Sequence, residues 1–85
     1  MSEITLTLIG KPGGHLCDDA EAVVATVVKA LPEQNIAVEE LSIEDDKELF
    51  DSYWDQIPVL LINGKVHNYW RIDPERLTTA LKELS

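Results

Sequence analysis

The sequence predicts an α/β domain: a four-stranded mixed sheet with helices on both faces, in the order β-α-β-α-β-β-α. Three observations lead there. Along the 85 residues, apolar spacing switches repeatedly between the two-residue period of strands and the longer period of helices. Ile57 to Ile62 (IPVLLI) is a nearly continuous apolar run, which suits a central strand covered on both faces. Asn63-Gly64 follows it directly, the strongest two-residue hairpin signal, and makes the next strand antiparallel.

Ile4 to Ile9 (ITLTLI) alternates Thr with aliphatics and reads as the first strand. Gly10 to Gly14 breaks it, because glycine and proline continue neither regular element cheaply. From His15 a helical stripe runs through Cys17, Ala20, Val24, Val27, Val28 and Leu31, with Asp18, Asp19 and Glu21 early, where acids favour the helix dipole. Pro32 ends that helix. Ile36 to Leu41 is the second strand, and a right-handed crossover makes it parallel to the first. Ser42 is expected to cap a short helix over residues 45–54. After the hairpin, Lys65 to Ile72 forms the fourth strand, with Val66, Trp70 and Ile72 on its inner face. Asp73-Pro74-Glu75 opens the last helix with a capping Asp, a Pro at the first helical position and an acid. Leu77, Ala80, Leu81 and Leu84 give it an apolar stripe. Trp54, Tyr69 and Trp70 are expected at or near the core, and His67 on the surface.

The chain length suits one domain over residues 1–85, large enough for one modest core. No apolar run approaches the ~20 residues that cross a bilayer. Residues 1–5 show no basic region followed by an apolar stretch, so no signal peptide is expected. A single cysteine fits a reducing compartment, and a cytoplasmic location is the expectation. The balance of 16 acids against 7 Lys and Arg, net −9, repels phosphate backbones and argues against nucleic acid as a partner. No membrane partner is expected, and a monomer is. The acidity has an ordinary reading as solubility.

Chemistry is expected where the first strand ends, since crevices form beyond the carboxyl ends of parallel strands. There, Lys11-Pro12-Gly13-Gly14-His15-Leu16-Cys17 feeds a helix N-terminus, whose unpaired N–H groups favour anions. Gly14 takes the position at the helix mouth where a nucleophilic thiol would be activated, and Cys17 follows about one turn inside. On the apolar stripe, Cys17 reads as a small core-facing residue, and Asp18 and Asp19 add negative charge beside it. His15 with Cys17 is too small a set for a structural metal site, so no metal is expected. The pairs Asp18-Asp19 and Asp45-Asp46 are explained as acids at helix starts. The glycines of the loop lack the Gly-Lys-Ser/Thr ending of a phosphate-binding loop.

The loop from Gly10 to Ala20, GKPGGHLCDDA, resembles the active-site loop of the glutaredoxin-like family of the thioredoxin fold. It is most similar to small bacterial glutaredoxin-like proteins whose loop runs Lys-Pro-x-Cys-His-Leu-Cys-Asp. The resemblance continues at Ile57-Pro58-Val59, where that fold carries a cis-proline facing the cysteines. It continues again from Val66 to Asp73, the last strand and its entry into the final helix. It implies a thioredoxin-like fold and reversible thiol–disulfide chemistry, with glutathione, a protein thiol or an extended peptide as partner. No firm cofactor is implied, and glutathione is the candidate. In the family pattern Gly14 stands at the attacking cysteine and Cys17 at the resolving one. Lys11, Pro12, His15, Ile57, Pro58 and Val59 match the groove positions for substrate. With Gly14 the intramolecular disulfide cannot form, because exchange is completed by a second thiol. The expectation is therefore a thiol-disulfide redox protein with a degenerate G-x-x-C site. The alternative is a non-catalytic module that holds a peptide or partner in the same groove.

Overall fold

A computed structural model describes residues 3–84. Its elements are β1 (Ile4–Gly10), α1 (His15–Ala30), β2 (Ile36–Ser42), α2 (Lys47–Tyr53), β3 (Val59–Ile62), β4 (Lys65–Tyr69) and α3 (Pro74–Leu84). The four strands form one sheet in the order β2-β1-β3-β4. β1 and β2 are parallel, while β1 with β3 and β3 with β4 are antiparallel.

Period-two alternation divides the central strands between two cores. Leu6 and Leu8 of β1, with Leu60 and Ile62 of β3, face α1 and α3. They pack there against Ala20, Val24, Val27, Leu77 and Leu81. Ile9 and Val59 face the other way, under Leu49 and Tyr53 of α2. Both faces of β1 and β3 are thus covered, which accounts for the unbroken apolar run in β3.

The termini of the helices follow local chemistry. α1 stops at Ala30, one residue short of the Leu31 that Pro32 restricts. Asp73 accepts from the backbone N–H groups of Glu75 at 2.9 Å and Arg76 at 3.3 Å, capping α3 as its sequence predicts.

Several expectations are corrected. Asp46, not Ser42, caps the second helix, accepting from the Glu48 N–H at 2.8 Å. Ser42 ends β2, and its hydroxyl accepts from the Glu44 N–H to close a turn. β3 starts at Val59, because Pro58 has no N–H for the ladder and follows a cis peptide bond. β4 ends at Tyr69, because Trp70 turns to φ +65° and leaves the extended region. Between Leu60 and Leu61 the register slips: Leu60 pairs with Asn68 but Leu61 with Val66, so His67 is the extra residue of a bulge. A bulge resets the alternation of faces. Of the residues assigned to the inner face of this strand, only Ile72 is buried, while Val66 and Trp70 are exposed. The aromatics Trp54, Tyr69 and Trp70 and the terminal Leu84 are exposed as well, not core. His67, in contrast, is half-buried, and its Nε2 is shielded with no hydrogen-bond partner.

Candidate functional site

Register brings several segments to one end of the sheet. Ile9 pairs with Val59, and Val59 with Tyr69. The end of β1, the Ile57–Pro58 corner and the exit from β4 are therefore neighbours in the ladder. Gly10 pairs with Ser42, and its carbonyl accepts from the Ile43 N–H at 3.0 Å, which brings the end of β2 alongside.

The loop after β1 is shaped by its glycines. Gly13 sits at φ +81°, a conformation that a side chain would strain. Gly14 precedes α1 in an ordinary extended conformation, φ −82°, and its carbonyl accepts from the Asp18 N–H at 3.0 Å to begin the helix. No side chain caps α1, as glycine has none to offer. His15 is exposed at the first helical residue.

Cys17 is half-buried, and the reading of it as a core residue is corrected. The buried stripe of α1 begins one turn later, at Ala20. The sulfur turns back toward the loop, where it accepts from the Lys11 N–H at 3.4 Å. It lies so close over Gly10 that a Cβ there would stand 2.9 Å from it. At Gly14 an added Cβ would stand 3.4 Å from the same sulfur and 3.7 Å from the Cys17 Cβ, both ordinary contacts.

The sulfur opens into a cavity of about 180 Å³ lined by Leu8, Gly10, Lys11, Pro12, Glu21, Glu40 and Leu41. Lys11, Pro12 and Cys17 are thus brought together, on the β2 side of α1. Ile57, Pro58 and Val59 do not line this cavity. Pro58 and Val59 are among the most buried side chains, and Ile57 is half-buried against the α2 core. Of the three, only Val59 is in the ladder, opposite Ile9, and it sets the Ile57–Pro58 corner beside the end of β1.

Two features of this end escape sequence reasoning. The first is Trp70. Its backbone N–H donates to the Pro58 carbonyl at 2.8 Å, and its indole N–H donates to the Asp55 carbonyl at 3.0 Å. Its ring meets Tyr69 edge to face at 5.0 Å. A bulky residue at positive φ is held only where its surroundings over-determine it, and these bonds do so. No sequence signal marks a tryptophan for that conformation. On the far side of α1 from the sulfur, Trp70 and Arg71 form a second groove of about 190 Å³ with Leu16 and Asp19. The second feature is the pairing of Glu21 on α1 with Glu40 on β2. The Glu21 carboxyl is raised above its ordinary range by a hydrogen bond with Glu40, and then by repulsion from it. The two are far apart in sequence, so only the tertiary fold shows the pair.

Among the described residues, no group of three or more His, Cys, Asp or Glu is arranged to hold a metal ion, and no helix is long and apolar enough to cross a membrane.

Residues 5–82 match the model of the family described as "Glutaredoxin-like domain (DUF836)". A "Glutaredoxin-like protein YDR286C homolog" of Dictyostelium discoideum is 30% identical over 84 residues, which cover 95% of this chain and 78% of that protein. Among solved structures, protein XcR50 from X. campestris superposes with a TM-score of 0.73 at 30% identity, covering 92% of this chain and 96% of that one. Mitochondrial thioredoxin 3 of Saccharomyces cerevisiae, at 10% identity, covers 94% of this chain and 77% of its own with a TM-score of 0.66, a likeness of fold alone. With its loop, its mixed sheet and nearly its whole length matched in this way, the chain belongs to the glutaredoxin-like family and has the thioredoxin fold.

Proposed function

We propose that the chain is a thiol redox protein whose dithiol site is reduced to one thiol, Cys17. The observation that carries this reading is the geometry at Gly14. A Cβ added there lies 3.7 Å from the Cys17 Cβ, within the ~3.5–4.5 Å that disulfides span, and the backbone at Gly14 accepts any side chain. The scaffold of a 14–17 disulfide is retained while the first sulfur is missing. In the single-thiol cycle, the Cys17 thiolate attacks one sulfur of oxidised glutathione or of a protein disulfide. A bond forms to Cys17 as the partner's S–S bond breaks, and the departing thiolate takes up a proton. A thiol from solution then attacks the partner's sulfur of the mixed disulfide, forming a new S–S bond there and releasing Cys17 as the leaving thiolate, which takes up a proton. The opening beside Lys11, Pro12 and Leu41 is the approach to the sulfur, and a reducing, cytoplasmic setting suits the cycle.

The replacement Gly14→Cys tests the scaffold. Under mild oxidant it is expected to lose two titratable thiols per chain and to gain disulfide-reductase activity. Two free thiols in the folded, oxidant-treated variant would overturn the redox reading. The unmodified protein tests the single thiol: Cys17 is expected to react with a thiol reagent at neutral pH without denaturant. Reaction only after unfolding would favour the second reading, a binding module without turnover. That reading has its own support in Gly14, which removes the attacking sulfur while the opening beside Cys17 remains.

A further inference from the structure

β2 lies at the edge of the sheet, so every second N–H and C=O along its outer side lacks a strand partner. Its centre reads Val38-Glu39-Glu40-Leu41, and all four residues are exposed. Val38 and Glu40 pair in register with Leu6 and Leu8 and share their face, whereas Glu39 and Leu41 point to the other. On the Val38 side, α1 stops short of the edge. A groove of about 570 Å³ stays open there between Val28 and Ala25 of α1 and Val38 of β2. It joins the Cys17 cavity through Leu8, Glu21 and Glu40. Glu21 and Glu40 line this groove together, two acids that a cation between them would favour. The cations nearby, Lys11 and Lys29, line the cavity and the groove but lie outside residues 38–41.

We propose that the β2 edge receives an extended segment of a partner protein as a fifth strand, one that carries aliphatic-basic-basic-aliphatic residues opposite Val38, Glu39, Glu40 and Leu41. Directly opposed pairs of opposite charge and of apolar side chains stabilise neighbouring strands, and like charges destabilise them. The pattern 38–41 reads the same in both directions, so the complement fits a parallel or an antiparallel segment. The same rule argues against a second copy of this chain. Antiparallel pairing of two β2 edges keeps the faces of both strands, so a pairing about this centre would set Glu39 against Glu39 or Glu40 against Glu40. The surface uses neither Cys17 nor Gly14, and it borders the opening to the sulfur only through Glu40 and Leu41.

A synthetic peptide with the core Ile-Lys-Lys-Ile flanked by Thr and Ser tests this, titrated into the ¹⁵N-labelled protein and followed by amide shifts and amide exchange. The shifts are expected in residues 36–42 and along α1 from Glu21 to Lys29, with new exchange protection on β2. The variants Glu39→Gln and Glu40→Gln should each weaken binding roughly 1.5- to 5-fold. A peptide with Ile-Glu-Glu-Ile in its place should not bind. Absence of binding at millimolar peptide, equal binding of the acidic peptide, or shifts confined to Ile57, Val59 and Trp70 would each overturn the proposal.

Discussion

At Gly10, the missing side chain decides where the thiol of the single cysteine sits. The Cys17 Sγ occupies the space that a Cβ at Gly10 would need, with 2.9 Å between them, and the Cys17 Cβ would be 3.4 Å away. Overpacking of this kind costs about 1–3 kcal/mol. Gly10→Ala is therefore expected to lower stability by that amount in urea unfolding and to swing the sulfur away from the Lys11 N–H. The cost should shrink in a Cys17→Ala background, where the closest atom is gone. An equal loss in both backgrounds would show that the glycine answers to the backbone and not to the sulfur. Sequence alone shows that Cys17 falls on the apolar period of α1. What it hides is that the first turn of the helix overhangs the end of β1, so that a residue in step with the core stripe points at the loop. Periodicity gives an angle about the helix axis and is silent on what lies beneath each turn.

The same distinction runs through the elements. β1, α1 and α3 were legible because each carries a full signal of its own: alternation, stripe, and the Asp73-Pro74 cap, whose hydrogen bonds form as the residue types require. β4 was legible as the antiparallel return of the hairpin but not in its faces, because one extra residue, His67, breaks its pairing and leaves Val66 and Tyr69 exposed. A bulge is a property of two strands together, and one strand's sequence does not contain it. The bulge has a titration signature. Burial, and then the positive charge of Arg76, hold the His67 imidazole below its ordinary range, so the folded protein favours the neutral ring. The unfolded chain takes up a proton near pH ~6.5 and the folded chain only at lower pH. Stability from this group is complete above the unfolded value and is lost as pH falls through the folded one. The melting temperature is expected to decline on that acidic side in the native protein, and to decline less in His67→Asn. Identical profiles for the two proteins would remove His67 from the account. The cap Asp46 on α2 adds a simpler case: Asp46→Ala should cost about 1 kcal/mol, read by denaturant unfolding.

For the whole molecule, the two cores explain why the fold survives an acidic surface of net −9. Leu6, Leu60, Leu77 and Leu81 are completely buried between the sheet and the α1–α3 layer, and Ile9 and Val59 between the sheet and α2. Apolar burial of this kind is indifferent to salt, while self-repulsion of the surface is not. The two contributions therefore separate in a salt titration. At neutral pH, adding NaCl up to about 0.5 M should raise the melting temperature, since screening shortens the reach of like charges to a few ångströms. Glu21 and Glu40 concentrate that repulsion. The Glu21 carboxyl is raised in the folded state by Glu40, so the pair is best tolerated below the unfolded value, and that advantage is lost as pH rises through the folded one. Glu40→Gln should then stabilise the protein at neutral pH, reduce the gain from salt, and bring the Glu21 titration, followed by its carboxyl ¹³C shift, back toward that of an isolated glutamate. If Glu40→Gln leaves both the salt response and the Glu21 titration unchanged, the two carboxyls are not coupled in solution. The β2 groove would then lose the electrostatic reason for drawing a basic strand.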